Sequence, residues 1–306
     1  MMKFQNTHSD SGFDLTDYLN SQRQITSQAL KKIIKTHFSD SRLSSAMQYS
    51  LMASGKRLRP VLCMAAAETA GKNNDDVINA ACAIEMIHTY SLIHDDLPAM
   101  DDDRLRRGKP TCHIQYDEPT AILTGDALLT LAFDVLSDPP SLPENIAIQL
   151  QVIKTIASAA GHRGMIEGQM RDIEAETITA PLDKLKQIHR LKTGALIEAS
   201  VTTGALLTGG SQETVNQLKI YAENIGLAFQ VVDDILNVEG DAAKMGKATG
   251  TDASRNKSTY PGLLGMEESR QFTTELVNNA LHALDIFGNK SVPLSALAEY
   301  IIRRER

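Results

Sequence analysis

The chain has 306 residues, with 31 Lys and Arg against 38 Asp and Glu and a formal net charge of −7. A basic nucleic-acid-binding surface is therefore excluded. With 42% hydrophobic and 23% charged residues and no tryptophan, the composition is that of an ordinary globular protein and favours helix over sheet.

Length divided by roughly 150 residues per domain gives a prior of two domains. No composition shift, low-complexity tract or linker divides the sequence, so one helical domain over residues 1–306 is expected. The N-terminal MMKFQNTHSDSGFDL has no apolar run behind its lysine, and no stretch of about 18 uninterrupted apolar residues follows. A cytoplasmic protein without stable membrane association is expected, its first 12 residues mobile. Cys63, Cys82 and Cys112 are odd in number and lack C-x-x-C spacing, which predicts buried free thiols rather than disulfides or a zinc site.

No proline precedes Pro60, and none lies between Leu182 and Tyr260, so long uninterrupted helices are predicted in both stretches. Apolar residues recur at three- and four-residue steps, as in Ile84, Ile87 and Leu92 and again in Leu218, Tyr221, Ile225, Ala228, Phe229 and Val232. Alternating strand patterns of useful length are missing.

The first cationic segment, Gly55-Lys56-Arg57-Leu58-Arg59-Pro60, places three cations in four residues. Next comes Tyr90-Ser91-Leu92-Ile93-His94-Asp95-Asp96-Leu97-Pro98-Ala99-Met100-Asp101-Asp102-Asp103, with five aspartates in nine residues behind an apolar helical stretch. Such carboxylates repel one another unless cations sit between them. On a straight helix Asp95 and Asp101 would stand roughly 240° apart. Pro98 disfavours helix at Leu97 and predicts a bend that returns Asp101 toward Asp95. A second basic segment, Leu105-Arg106-Arg107-Gly108-Lys109-Pro110-Thr111-Cys112-His113, follows at once.

Further along lie Lys192-Thr193-Gly194 and a second acidic site, Phe229-Gln230-Val231-Val232-Asp233-Asp234-Ile235-Leu236-Asn237, in which a charged pair interrupts an apolar helix. Asp233 and Asn237 share a helical face. Gly246-Lys247-Ala248-Thr249-Gly250-Thr251-Asp252 and Asn256-Lys257-Ser258-Thr259-Tyr260-Pro261 supply more cations. A nucleotide P-loop is excluded, because five residues separate Gly240 from Gly246 and Ala248 stands where Ser or Thr is required. Oxygen-only ligands point to a hard cation, and Mg²⁺ is held by one or two carboxylates together with substrate phosphates. Carboxylate clusters beside basic segments thus describe a cavity for divalent metal and diphosphate.

In this order GKRLRP, DDLPAMD, LRRGKPTCH, GQMRD, KTGALIEAS, FQVVDD, GKATGTD and KSTYP make the chain resemble the trans-isoprenyl diphosphate synthases, most closely the bacterial farnesyl diphosphate synthases. The resemblance runs almost end to end. It implies a single all-α bundle, the isoprenoid synthase fold, around a deep cavity, usually a homodimer, acting on small diphosphate substrates. It implies that Asp95, Asp96, Asp101 and Asp233 bind Mg²⁺, with Mn²⁺ the alternative. Asp95 and Asp101 would hold two ions directly, and Asp233 the third. By the same resemblance Arg106, Lys192, Thr193, Gln230, Lys247 and Lys257 contact the allylic diphosphate. Lys56, Arg59, His88 and Arg107 form the isopentenyl diphosphate site, and Tyr90 and Ser91 floor the chain-length pocket. Asn237 departs from the family's D-D-x-x-D pattern, with Asp241 a candidate substitute. The implied product is farnesyl diphosphate. Geranyl or geranylgeranyl synthase, a terpene cyclase, or a non-catalytic subunit of a heteromeric synthase are the competing readings.

Overall fold

The computed structural model describes residues 12–71, 73–139, 145–176, 180–239 and 257–304. Among them the chain forms helices α1 (Leu15–His37), α2 (Arg42–Leu51), α3 (Leu58–Ala70), α4 (Asp75–Asp95), α5 (Cys112–Gln115), α6 (Glu118–Ser137), α7 (Ile146–Ala160) and α8 (Met165–Ala175). Then come α9 (Leu182–His189), α10 (Ala195–Leu207), α11 (Gln212–Glu239), α12 (Tyr260–Leu264), α13 (Met266–Ala283) and α14 (Val292–Arg303). A π-helical turn, Arg190–Gly194, joins α9 to α10, and a 3-10 segment, Asp285–Ser291, precedes α14.

The two proline-free stretches hold α1, of 23 residues, and α11, of 28. Side-chain caps fix several starts: Asp14 accepts from the Asp17 N–H, Ser41 from Ser44, Asn74 from Val77 and Asp117 from Thr120. Each satisfies a backbone donor that the first helical turn leaves unpaired.

Helix α4 packs on α6 and α3, α3 on α10, α10 on α11, and α11 on α13. Helix α3 contributes Cys63, Met64 and Ala67 to one buried cluster and Val61, Leu62, Ala65 and Ala66 to the other, so it is apolar on all sides and lies between them. This succession sets the acidic end of α4 and the acidic stretch of α11 around the central pair α3 and α10.

The all-α expectation meets one small departure. Leu105–Arg106 pairs antiparallel with Lys109–Pro110. Arg107 at φ 54° and Gly108 at φ 76° are both left-handed, the geometry of a two-residue hairpin turn. The three cysteines are buried and free, as predicted. Helix α6, whose most apolar window has a mean hydropathy of 1.4, is by length and composition able to cross a bilayer. It packs instead along α4, and 44% of that window is buried. The expectation for residues 1–12 falls, except for Gly12, outside the described residues.

Candidate active site

Helix α4 ends at Asp95, and the chain turns back where Pro98 interrupts it: the Asp101 N–H donates to the Asp95 carbonyl at 2.8 Å, and Met100 N–H to Leu97 at 2.9 Å. Asp102, at φ 51°, completes the reversal. Among the described residues no cation lies within ion-pair distance of Asp95. Its carboxyl is pushed up to about 6 by burial and by Asp101 and Asp96, against the pull of Lys192 and Arg106. A carboxylate so placed needs a cation. Among the described residues no three His, Cys, Asp or Glu side chains form a ready-made cage. The oxygen donors of Asp95 and Asp101 are of the chemistry that suits a hard cation such as Mg²⁺, which takes one or two carboxylates together with water and phosphate.

Asp96, which the resemblance assigns to Mg²⁺, is engaged by Arg106. It is 3% exposed, and both its oxygens accept from Arg106 Nε, at 2.8 and 2.9 Å, with a further bond from the same guanidinium. The reason is helical geometry: the next residue after Asp95 turns by about 100°, onto the side where the hairpin brings Arg106. Asp96 thus orients Arg106 and holds it charged.

The basic segments after Gly55 and after Leu105 come together. The Arg107 guanidinium donates to the Ser54 carbonyl at 2.8 Å and lies over Gly55, where an added Cβ would stand 2.2 Å from it. Arg59 is lowered to about 10 by burial and by Arg107, against Glu85 and Asp233, and its Nε is buried without a hydrogen-bond partner. His88 is held neutral by burial and by Arg59, Arg107, Arg106 and Arg57. Lys56 stands 5.7 Å from the Tyr300 ring centroid. Arg57, in contrast, turns inward: a left-handed backbone (φ 52°) sends it to Glu85 at 2.6 Å and to the carbonyls of Leu51 and Ala53.

A second cation group gathers around Asp172 of α8. Lys192 Nζ lies 2.7 Å and Lys257 Nζ 2.9 Å from the same oxygen, Asp172 Oδ2. Lys192 stands within the π-helical turn, and Gly168 makes room for it: a Cβ there would stand 2.1 Å from the Lys192 backbone nitrogen. Thr193 Oγ1 donates to Gln230 Oε1 at 3.1 Å, and Gln230 Nε2 to Asp233 Oδ2 at 3.1 Å. Asp233 Oδ1 also meets Arg304 at 2.6 Å. Asp234 accepts the Tyr260 N–H at 2.9 Å, and Asn237 is buried. Lys247 and Asp241 lie outside the described residues.

Residues 40–286 match the family described as polyprenyl synthetase. The chain belongs to that family. It is 46% identical over 298 residues to the farnesyl diphosphate synthase of Escherichia coli K12, covering 96% of this chain and 100% of that one. It is 43% identical to the geranylgeranyl diphosphate synthase of Cyanophora paradoxa, over 96% and 98% of the two chains. The solved geranyltransferase of Legionella pneumophila superposes with a TM-score of 0.84 at 31% identity, covering 95% of this chain and 97% of that one. The protein is thus a prenyltransferase of the trans-prenyl synthase type with the all-α isoprenoid synthase fold.

Set beside the polyprenyl synthetase motifs, three residues stand out that sequence reasoning gave no role. Asp172 was legible only as part of GQMRD. Arg304, near the C-terminus, reads in sequence as one more solvated arginine. Gly168 opens the same GQMRD motif, but the sequence gives no reason why a glycine is required there. Tyr90 is 5% exposed, and its hydroxyl has no hydrogen-bond partner; Ser91 Oγ donates to the His88 carbonyl at 3.0 Å.

Proposed function

We propose that the protein condenses isopentenyl diphosphate with dimethylallyl and then geranyl diphosphate to give farnesyl diphosphate. The observation that carries this reading is the presence of two separate cation groups, Arg59 and Arg107 beside neutral His88 in one and Lys192, Lys257 and Arg106 in the other, near the carboxylates of Asp95 and Asp101. A condensing synthase must hold two diphosphates at once. A terpene cyclase, which holds one, has no use for the first group.

In this reading Asp95 and Asp101 would hold two Mg²⁺ ions and Asp233 a third. When bound, these ions stabilise negative charge on the departing diphosphate. Lys192, Lys257 and Arg106 supply fixed positive charge to the same oxygens, with Lys247 completing the set and Thr193 and Gln230 orienting it. The allylic C–O bond breaks, its electron pair leaving with diphosphate. Arg59, Arg107, Lys56 and neutral His88 hold isopentenyl diphosphate so that its double bond attacks the allylic cation. The new carbon cation then loses a proton to the released diphosphate. The apolar side chains lining α4 exclude water from these cations.

Three observations support a farnesyl product: the bulky Tyr90 one and a half turns before Asp95, the Pro98-Ala99 pair within the first acidic motif, and 46% identity to a farnesyl diphosphate synthase. Identity of 43% to a geranylgeranyl synthase makes that product the second reading. A homodimer is proposed from the exposed apolar side chains Ile122 and Leu123 of α6 and Ile146 and Leu150 of α7, which a second copy would cover. The test is to incubate the purified protein alone with Mg²⁺, isopentenyl diphosphate and either dimethylallyl or geranyl diphosphate, and to identify the product chain length. Absence of product until a partner protein is added would favour the non-catalytic subunit.

A further inference from the structure

Asp172 has a geometry that none of the roles above uses. It sits on α8, yet it touches two lysines from remote parts of the chain, Lys192 in the π-helical turn and Lys257 just before α12. Both ammonium groups meet one carboxylate oxygen, Oδ2, at 2.7 and 2.9 Å. Two like charges so close repel strongly, and only a shared counter-charge keeps them together. Glu176, one helical turn on, adds a second acidic contact to Lys257 at 3.4 Å.

The surroundings are built for this contact. Lys192 is half-buried, Lys257 is 17% exposed and Asp172 15%. Burial alone would raise the Asp172 carboxyl, but the two lysines hold it down to about 2. Lys257 is raised in turn, against its own burial, chiefly by Asp172. Gly168, one turn before Asp172, lets α8 approach the backbone of Lys192 directly. His189, just ahead of the π-helical turn, is lowered to about 4 by burial and by the same lysines, so it adds no competing charge.

We infer that Asp172 is a positioning residue: it clamps the ammonium groups of Lys192 and Lys257 at one point, so that together they meet the diphosphate of the allylic substrate. The inference rests on the reading of those lysines as allylic-site residues. Lysine is a mobile point charge on a four-carbon stem with much rotamer entropy to lose. Ordering two of them before substrate arrives removes that cost from binding and from the ionisation step. A simple neutralising role would predict the opposite, since a carboxylate beside a diphosphate repels it.

The test is Asp172→Asn, which keeps shape and removes charge, with steady-state kinetics for both substrates. The KM for geranyl diphosphate is expected to rise about tenfold and kcat to fall, with the KM for isopentenyl diphosphate within about twofold of the parent. An unchanged or lower allylic KM, or equal increases for both substrates, would overturn the clamp. If the Asn variant does not fold, Asp172→Glu retains the charge and shifts it by one methylene; it is expected to raise the allylic KM alone, and no selective change overturns the inference. A readout independent of turnover is acetic anhydride labelling of Lys192 and Lys257, followed by mass spectrometry. Both should react several-fold faster in Asp172→Asn, because neither ammonium group is any longer held against a carboxylate oxygen; equal rates would contradict the clamp. Faster labelling in a protein whose parent form makes no prenyl product would leave the clamp standing and reject the proposed reaction.

Discussion

The guanidinium of Arg304 lies 2.6 Å from Oδ1 of Asp233, so the end of the last helix reaches the second acidic site. The same guanidinium donates to the Phe229 carbonyl at 2.7 Å and stacks 3.8 Å from the Phe229 ring centroid. Arg304 is 8% exposed, while the Asp233 side chain is 42% exposed. A cation therefore already sits on the carboxylate proposed for the third Mg²⁺. Arg304→Gln is expected to lower stability without added Mg²⁺ by about 1–2 kcal/mol, because a packed, charge-paired group is lost from a half-open site. With one competitor removed, Mg²⁺ in the presence of pyrophosphate should raise the melting temperature more in this variant than in the parent. Identical melting curves under both conditions would count against a pairing of Arg304 with Asp233 in solution.

Asp95 carries a stability cost that its function requires. Its carboxyl is raised from 3.8 to about 6, so the folded state binds the proton more tightly than the unfolded chain does. The resulting stability is fully present below the unfolded value and is lost as pH rises through about 6. Two units at about 1.4 kcal/mol each, discounted for the part of the group that water reaches, leave on the order of 1–2 kcal/mol. Asp95→Asn is thus expected to melt higher than the parent near neutral pH without Mg²⁺, with the gap closing in acid. Prenyl transfer should fall by about a hundredfold or more. A lower melting temperature at neutral pH would contradict this account of Asp95.

Gly55 and Gly168 make contrasting predictions. A Cβ at Gly55 meets the end of a flexible side chain, Arg107. Gly55→Ala should leave the melting temperature nearly unchanged and raise the KM for isopentenyl diphosphate several-fold, with little effect on the allylic substrate. A Cβ at Gly168 meets the backbone of Lys192, which cannot move without displacing the π-helical turn. Gly168→Ala should cost about 2 kcal/mol or more and depress use of the allylic substrate. Thermal melts with substrate-specific kinetics separate the two.

Tyr90→Ala is expected to lengthen the product, since it removes a buried ring about a turn and a half behind Asp95. It should also destabilise by about 3 kcal/mol, the usual cost of truncating a buried aromatic. Chromatography of the dephosphorylated products decides the point; an unchanged distribution from the folded variant would reject Tyr90 as the floor.

Much of the fold was legible because helix periodicity and proline placement act locally. Pro98 predicted the return of Asp101 to Asp95, and the Asp101-to-Asp95 backbone bond bears this out. Charge runs were read less well, because the direction of a side chain depends on backbone conformation that sequence does not display. Arg57 points into the protein owing to one left-handed residue, and Asp96 turns to Arg106 owing to one step of helix rotation. Contacts between remote segments, such as Arg304 with Asp233 and Asp172 with two lysines, leave no periodic trace at all.

The central claim is that one chain binds two diphosphates and joins them to a fifteen-carbon product. Incubation of the purified protein with Mg²⁺, isopentenyl diphosphate and dimethylallyl diphosphate, followed by mass spectrometry, tests it most directly. The account predicts farnesyl diphosphate as the main product, formed without any second protein and dependent on Mg²⁺. No condensation product, or a product mainly of twenty carbons, would contradict it.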